Sequence, residues 1–247
     1  MAMKYSLDKS VAFDSVSHTY TKNGKKLTSV TSFISKFKNE FDSEYWSKKI
    51  ALRDGKSQEQ VLKEWSDKGK KSCEIGTAIH KIFEDYIDGK YSILNDAVFV
   101  DFMELDESYL EDFIPKSKVA LSFVKDFFQS KRLIPVYTEY IVHNHFLAGQ
   151  VDLICKDKDG NFYILDFKTN EKVEKENYGK YLKDALKVIP DSTYYHYCLQ
   201  LSIYKKMFSE PVKNIYLVHI KKDKYDFIKC DDVFEKFKIE FNDLFTV

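Results

Sequence analysis

The chain has 247 residues, 44% hydrophobic and 16% aromatic, with 39 Lys+Arg against 39 Asp+Glu for a formal net charge of zero. That composition supports a packed core and excludes disorder as the default. The charge balance counts against a non-specific nucleic-acid coat protein, while leaving room for an enzyme with a local basic groove.

The only arginines are Arg53 and Arg132, so any phosphate contacts are expected to be lysine point charges rather than bidentate forks. Cys73, Cys155, Cys198 and Cys230 are scattered without a C-x-x-C pair. They read as reduced structural thiols of an intracellular protein, not as zinc or iron–sulfur ligands. The N-terminus has no apolar secretion core, and no apolar run approaches the roughly 18 residues of a membrane span. A soluble, cytoplasmic protein without a membrane partner is expected.

In chain order, residues 11–21 predict a strand, and Lys22-Asn23-Gly24-Lys25 predicts a tight hairpin. Ser29-Val-Thr31-Ser before Phe33 and Ile34 predicts a hydroxyl-capped helix start. Such a start, with lysines nearby, is able to hold a phosphate, although an ordinary cap is the simpler reading. Helices are expected over 43–53 and 57–67, with Trp46 and Trp65 on apolar faces. Lys68-Gly-Lys70-Lys71 then reads as a basic, flexible joint. A further helix over 74–87 turns Ile75, Ile79, Ile82, Phe83 and Tyr86 inward and carries Gly76, His80 and Glu84 at four-residue steps on a neighbouring face. Residues 91–114 hold acidic and no basic residues and read as an acidic helical insertion. A helix is expected from Lys116 to Arg132, and Pro135 opens the strands.

Three short runs rich in β-branched and aromatic residues follow: one around Glu139, one through Gly149-Gln-Val-Asp152, and one ending Asp166-Phe-Lys168-Thr169. The last two flank Lys158-Asp159-Gly160, a favoured three-residue hairpin loop with glycine at the left-handed position. That loop sets Asp157 against Asn161 and therefore Asp152 against Asp166, with Lys168 on the same face. Carboxylates about 5 Å apart on paired strands repel unless a cation lies between them. Oxygen ligands beside a lysine suit Mg²⁺ or Mn²⁺ better than zinc. Acidic side chains on a solvated edge strand are the bland alternative. It weakens because both aspartates sit inside apolar runs. Glu171 to Lys187 reads as charged and mobile, Tyr194 to Phe208 as an amphipathic helix, 215–220 and 225–230 as a strand pair, and Asp231 to Phe245 as a closing helix. Tyr178, Tyr181, Tyr194 and Tyr197 are able to stack on unpaired bases or to fill the core.

Taken together, Gly-Thr-x-x-His80, Glu139, Gly149-x-x-Asp152, Asp166-Phe-Lys168-Thr169 and Gln200-x-x-x-Tyr204 resemble the RecB-like branch of the PD-(D/E)XK nucleases. That branch holds phage exonucleases, CRISPR adaptation nucleases and the mitochondrial genome maintenance exonuclease. The resemblance covers roughly residues 70–210. It is weaker over His18-Thr-Tyr20, Gly24 and Ser29-Val-Thr31.

It implies an α/β, restriction-endonuclease-like core: a central mixed β-sheet flanked by helices, with a helical N-terminal region and the acidic insertion. One nuclease domain over 1–247 is expected, divided as 1–68, 69–230 and 231–247. The resemblance implies His80, Asp152, Asp166 and the Phe167 carbonyl as ligands of one or two Mg²⁺ or Mn²⁺ ions, with Lys168 catalytic. Glu139 and Glu84 are implied to support them. Gln200, Tyr204, Thr169, Ser29, Thr31 and Lys70 are expected on the substrate side. The expected activity is DNA exonuclease cleavage in replication, recombination or repair, on free and single-stranded ends, with a helicase or recombination partner. A structure-specific endonuclease and a non-catalytic DNA-binding protein are the competing readings. No iron–sulfur cluster is expected, because the C-terminal cysteine group of cluster-bearing members is missing.

Overall fold

The computed structural model describes residues 10–14, 17–89 and 105–245. Along the chain run β1 (Val11–Asp14), β2 (Thr19–Lys22), β3 (Lys25–Ser29), α1 (Val30–Ser35), α2 (Ser43–Asp54), α3 (Gln58–Ile87) and α4 (Leu110–Ser130). Then come β4 (Ile134–His143), β5 (Leu147–Lys156), β6 (Phe162–Lys168), α5 (Thr193–Met207), β7 (Val212–Ile220), β8 (Tyr225–Lys229) and α6 (Val233–Phe237). Among the described residues, the strands form one eight-stranded mixed sheet in the order β1-β2-β3-β5-β6-β7-β8, with β4 pairing β5 off that path. The mixed α/β architecture matches the expected fold class.

Turn chemistry sets the two hairpins. Asn23 and Gly24 both take positive φ, 50° and 75°, and Lys22 pairs with Lys25 across them. Gly160, at φ 84°, closes the second turn by donating its N–H to the Asp157 carbonyl. The β5–β6 register that follows pairs Leu153 with Leu165 and Cys155 with Tyr163. Continued by one pair, that register sets Asp152 opposite Asp166, as the loop length requires.

Strand β5 is the hinge of the sheet. One of its edges pairs along its length with β4. The other edge pairs in parallel with β3 at Leu147 and Ala148, and antiparallel with β6 only from Leu153 onward. Between these two partners, over residues 149–152, the sheet forks. Ile154 and Ile164 on one face pack with α1 and α5, whereas Leu153, Leu165 and Phe167 on the other pack with α3 and α4. Both helical layers therefore converge on the fork.

The structure corrects several expectations. The Lys68-Gly-Lys70-Lys71 joint does not exist, because α3 is one helix of 30 residues running through it and across the expected 68/69 boundary. An interior glycine costs about 1 kcal/mol. A capping box between Ser57 and Gln60, itself worth about 1 kcal/mol, and the burial of Ile75, Ile79, Ile82 and Phe83 outweigh it. Trp46 is exposed rather than apolar-facing, and Trp65 is half-buried against Phe41. Residues 11–21 form two antiparallel strands, β1 and β2, rather than one.

Helix α4 starts before Pro115, because burial of Phe113, Ser117, Ala120, Val124 and Phe127 continues one stripe through the proline. The rest of the acidic insertion, residues 91–104, lies outside the described residues. The segment after β6 is anchored, not mobile. Its Leu182, Leu186 and Ile189 are buried in the α5-side core, and Leu182 N–H donates to the Ile189 carbonyl. The closing helix is broken: α6 stops at Lys238, which takes φ 54°, and a short 3₁₀ turn follows at Phe241–Phe245.

Candidate active site

The fork in β5 exposes Asp152 to both helical layers. On β4, Thr138 pairs with Leu153 and Tyr140 with Val151, which brackets Glu139 opposite Asp152. Asp166 continues the row on β6, so three acidic residues lie on three adjacent strands. Glu139 takes φ 48°, a left-handed conformation that costs a non-glycine residue about 1–3 kcal/mol and collects at functional sites.

Helix α3 supplies the fourth group. The Phe83 and Phe167 rings stack at 3.7 Å and 9°, worth roughly 0.5–1.5 kcal/mol beyond burial, and this contact clamps α3 to the end of β6. His80, three residues before Phe83, donates from Nε2 to the Phe167 carbonyl at 2.9 Å. Its Nδ1 lies 3.5 Å from Asp152 Oδ2, and that same oxygen accepts the Phe167 N–H at 2.6 Å. The α3 layer thus reaches the carboxylates through one turn of helix.

Helix α5 supports the site from the opposite face. Gln200 Nε2 donates to the Tyr204 hydroxyl at 3.0 Å and lies 3.5 Å from Asp166 Oδ1. A Cβ on Gly149 would stand 2.3 Å from Tyr204 Cε1. The glycine of Gly149-x-x-Asp152 is therefore the seat of the Tyr204 ring, and two sequence motifs form one packed unit. Lys168 Nζ sits 2.7 Å from Asp166 Oδ2 and 5.1 Å from the centroid of the Tyr197 ring.

Electrostatics divide the carboxylates. Burial and the Asp152 charge push Glu139 up to about 8, against the pull of His80. Burial pushes Asp166 up to about 6, against the pull of Lys168. Burial also acts on Asp152, but His80, Lys168 and the Phe167 N–H hold it below the usual carboxylate range. Burial opposes the charge on His80, yet Asp152 beside it raises the imidazole to about 9. Lys168 is likewise opposed by burial and is held above the usual lysine value by Asp166 and Asp152.

Single ligand atoms from His80, Glu139 and Asp152 all lie within 4.8 Å of one another. Ligands about 2.1 Å from an octahedral ion stand roughly 3 to 4 Å apart, so a small contraction suits this set to a divalent metal. Glu139 enters that set more directly than the supporting part read from the sequence, and Asp166 is engaged with Lys168 instead. The signal for Glu139 was faint. An acidic residue inside a β-branched run was visible, but its left-handed backbone was not.

Other candidates fall at varying distances from this centre. Glu84 lies one turn along α3 from His80 and pairs with Lys81 at 3.0 Å. The Thr169 hydroxyl packs against Gly76, 3.3 Å from where a Cβ would stand, so that glycine admits the end of β6 rather than a ligand. Ser29 caps α1 through the Ser32 N–H and lies 3.2 Å from the Thr31 hydroxyl. Its backbone pairs with Ala148 beside the fork. Lys70 projects from α3 ten residues before His80, about 15 Å along the axis, and pairs with Glu74 at 3.8 Å. Tyr194 is core, whereas Tyr178 and Tyr181 are exposed. Tyr20 was not singled out as a site residue. Burial and the charges of Glu139 and Asp152 raise its hydroxyl to about 12, so it feels the charges of the site. Among the described residues, no helix is long and apolar enough to cross a membrane.

No curated protein matches the chain. Among solved structures 15 chains match, one of them described as "Crystal structure of SSO0001", with 16% identity and a TM-score of 0.28 over 63% of this chain and 66% of that one. The family model described as the PD-(D/E)XK nuclease superfamily matches residues 56–226. That span runs from the start of α3 into β8 and takes in His80, Glu139, Asp152, Asp166 and Lys168, so the chain belongs to the PD-(D/E)XK nuclease superfamily, a group of phosphodiester-hydrolysing enzymes.

Proposed function

We propose that the chain is a DNA exonuclease of the RecB-like branch, working with one or two Mg²⁺ or Mn²⁺ ions in replication, recombination or repair. The observation that carries the reading is the row of Glu139, Asp152 and Asp166 on β4, β5 and β6, with His80 crossing the fork to meet it. His80, Glu139, Asp152 and the Phe167 carbonyl would hold the ion, and Asp166, whose Oδ2 holds Lys168, would reach it through its other oxygen. Bound there, a divalent ion supplies an activated water and neutralises charge on the scissile phosphate.

The chain's own residues do the rest. Lys168, kept protonated by Asp166 and Asp152, donates toward a phosphate oxygen where negative charge develops. Asp166 fixes that ammonium at 2.7 Å, and Gln200 with Tyr204 fixes Asp166. Glu84 adds negative charge near Glu139. Ser29, Thr31, Thr169 and Lys70 are assigned to the substrate side, and exposed Tyr178 and Tyr181 suit unpaired bases. Any unwinding is left to a helicase or recombination partner.

Asp166→Ala or Lys168→Ala is expected to lower cleavage of end-labelled DNA in Mg²⁺ or Mn²⁺ by about 10³-fold or more, with the thermal melt preserved. Undiminished cleavage by either purified variant overturns the reading. Circular and end-blocked substrates separate exonuclease from endonuclease action, since only the latter cuts them.

A further inference from the structure

A second site lies just past the catalytic lysine. Where the chain leaves β6 through Thr169 and Asn170, it forms with α3, α4 and the β7–β8 turn a cavity of about 280 Å³. Small-molecule pockets run from roughly 300 to 1,000 Å³, so this one suits a single phosphate with part of its sugar rather than a base pair. Its wall carries five lysines, at positions 68, 71, 116, 221 and 222, against two acids, Asp112 and Glu171. Asp226, outside the wall, pairs with Lys221 at 2.6 Å. Five positive charges against these three negative ones leave an excess of two, in a chain whose formal net charge is zero.

The lysines are arranged, not merely gathered. Asp112 on α4 takes Lys71 from α3 at 2.5 Å and Lys222 from the β7–β8 turn. One carboxylate therefore holds two ammonium groups from two different elements side by side. Lys116 is half-buried at the base and donates to the Thr169 carbonyl at 2.5 Å, so its charge is tied to the chain close to Asp166 and Lys168. His219 donates to the Asn170 carbonyl at 2.7 Å and fixes the other end of this wall. Two cations on one carboxylate are more than an ion pair requires, and an anion entering the cavity satisfies the surplus.

We propose that this cavity binds a phosphate of the nucleic-acid strand one or two nucleotides from the scissile bond, with Lys71, Lys116 and Lys222 as its binding groups. Thr169 and Asn170 are within about 7 Å of chain from Lys168, a spacing on the scale of neighbouring phosphates. The proposal rests on the nuclease reading for its substrate, but not on cleavage for its test. Lysines that neutralise phosphates leave a counterion signature. Removing one such lysine lowers the slope of log affinity against log salt by about 0.7 for single strands and 0.9 for duplex.

The experiment measures fluorescence anisotropy of labelled single-stranded and duplex oligonucleotides across a salt series, with EDTA present, for the wild-type chain and for K71Q/K222Q and D112N. The lysine double variant is expected to bind about tenfold or more weakly at low salt, with its slope reduced by about 1.4 to 1.8. D112N releases both ammonium groups and is expected to bind more tightly than wild type. A merely structural role for the trio predicts the opposite for D112N, so weakened or unaltered binding by a D112N protein that melts normally overturns the proposal. So does an unaltered salt slope in K71Q/K222Q. If D112N does not fold, K116Q replaces it with a salt-slope readout, a reduction of about 0.7 to 0.9 being expected and an unchanged slope overturning the proposal. Oligonucleotides bearing one neutral methylphosphonate at successive positions then distinguish an internal phosphate from a terminal one. Wild-type protein that binds with this signature but cleaves nothing in any metal defeats the nuclease reading and leaves the pocket standing. Wild-type protein that cleaves, with an unmoved salt slope in the variants, does the reverse.

Discussion

The two ends of one short stretch, Asp166 to Asn170, face opposite electrostatic problems. At the fork, Glu139, Asp152 and Asp166 crowd together with His80 and Lys168 as their cations. Burial first, and then the neighbouring Asp152 charge, push one carboxylate up to about 8 and another to about 6, so negative charge is costly there until a cation answers it. A few residues on, Lys71 and Lys222 share the single carboxylate of Asp112, and positive charge is in excess. A bulk charge of zero conceals a separation made by topology. The β5 fork gathers acids from three strands, while the end of β6 gathers lysines from α3, α4 and the β7–β8 turn. The first arrangement suits a dication and the second suits a phosphate, which is the pairing that hydrolysis of a nucleic-acid backbone needs.

If the acidic end is rigidly built rather than a loose cluster, its packing should be as sensitive as its charges. Gly149→Ala is the sharpest probe, because the new Cβ would lie 2.3 Å from the buried Tyr204 ring. Overpacking of this kind costs about 1–3 kcal/mol, read as a lowered midpoint in urea. Tyr204→Leu removes the obstructing ring edge. In a double-mutant cycle the two effects should be strongly non-additive, with the pair less destabilised than their sum. Additive effects show that Gly149 and Tyr204 do not seat one another. The lysine end lies apart from this pair, so the salt slope of DNA binding is expected to stay at the wild-type value in Gly149→Ala.

A second test uses pH. His80 keeps its proton to about 9 in the fold, against 6.5 for a free imidazole. The stability it lends is complete below 6.5 and is lost as pH rises through 9. Glu139, raised from 4.5 to about 8, acts in the same sense over its own window. Asp152 is depressed, acts only in the acid range, and drops out above neutrality. The ion-free protein should therefore lose stability between about pH 6 and pH 9. An ion that displaces those protons should bind more tightly over the same range. The thermal shift given by Mg²⁺ or Mn²⁺ is expected to be about 2–4 °C larger at the alkaline end, the equivalent of about 1 kcal/mol for a chain of this size. His80→Ala should flatten that dependence. A shift independent of pH, or one unaltered in His80→Ala, places the ion elsewhere.

The sequence made the acidic end legible and left the basic end hidden. Register follows from one loop: Gly160 defines the turn, the turn pairs Asp157 with Asn161, and period two carries that pairing to Asp152 and Asp166. His80 was legible because α3's apolar stripe orients the helix. The left-handed backbone at Glu139 was not, since nothing local in Tyr-Thr-Glu-Tyr demands it and the irregular β4–β5 pairing is a tertiary outcome. The lysine cavity was invisible for a different reason. Its members come from all three thirds of the chain, and lysines are scattered through most of its length. The segment after β6 was misread because its charges are frequent while the three residues that anchor it, Leu182, Leu186 and Ile189, are spaced irregularly.

Helix α3 joins the two ends, carrying Lys68 and Lys71 to one and His80 to the other, and Gly69 is the point where the sequence suggested it would break. A flexible joint there would let the two ends move independently, whereas a continuous helix holds them at a fixed separation. Gly69→Ala separates these cases with the smallest of the expected effects. No atom lies within 4 Å of the position a Cβ would take, so the alanine meets no obstruction. In a continuous helix it should stabilise by about 0.5–1 kcal/mol, through the lower helix propensity of glycine and the greater freedom of the glycine chain when unfolded. Ion affinity and the salt slope of DNA binding should both stay at their wild-type values. A joint that bends during function would instead be stiffened, and turnover would fall while stability rose. Stability and turnover measured on the same preparation therefore decide whether the acidic and basic ends are held by one rod.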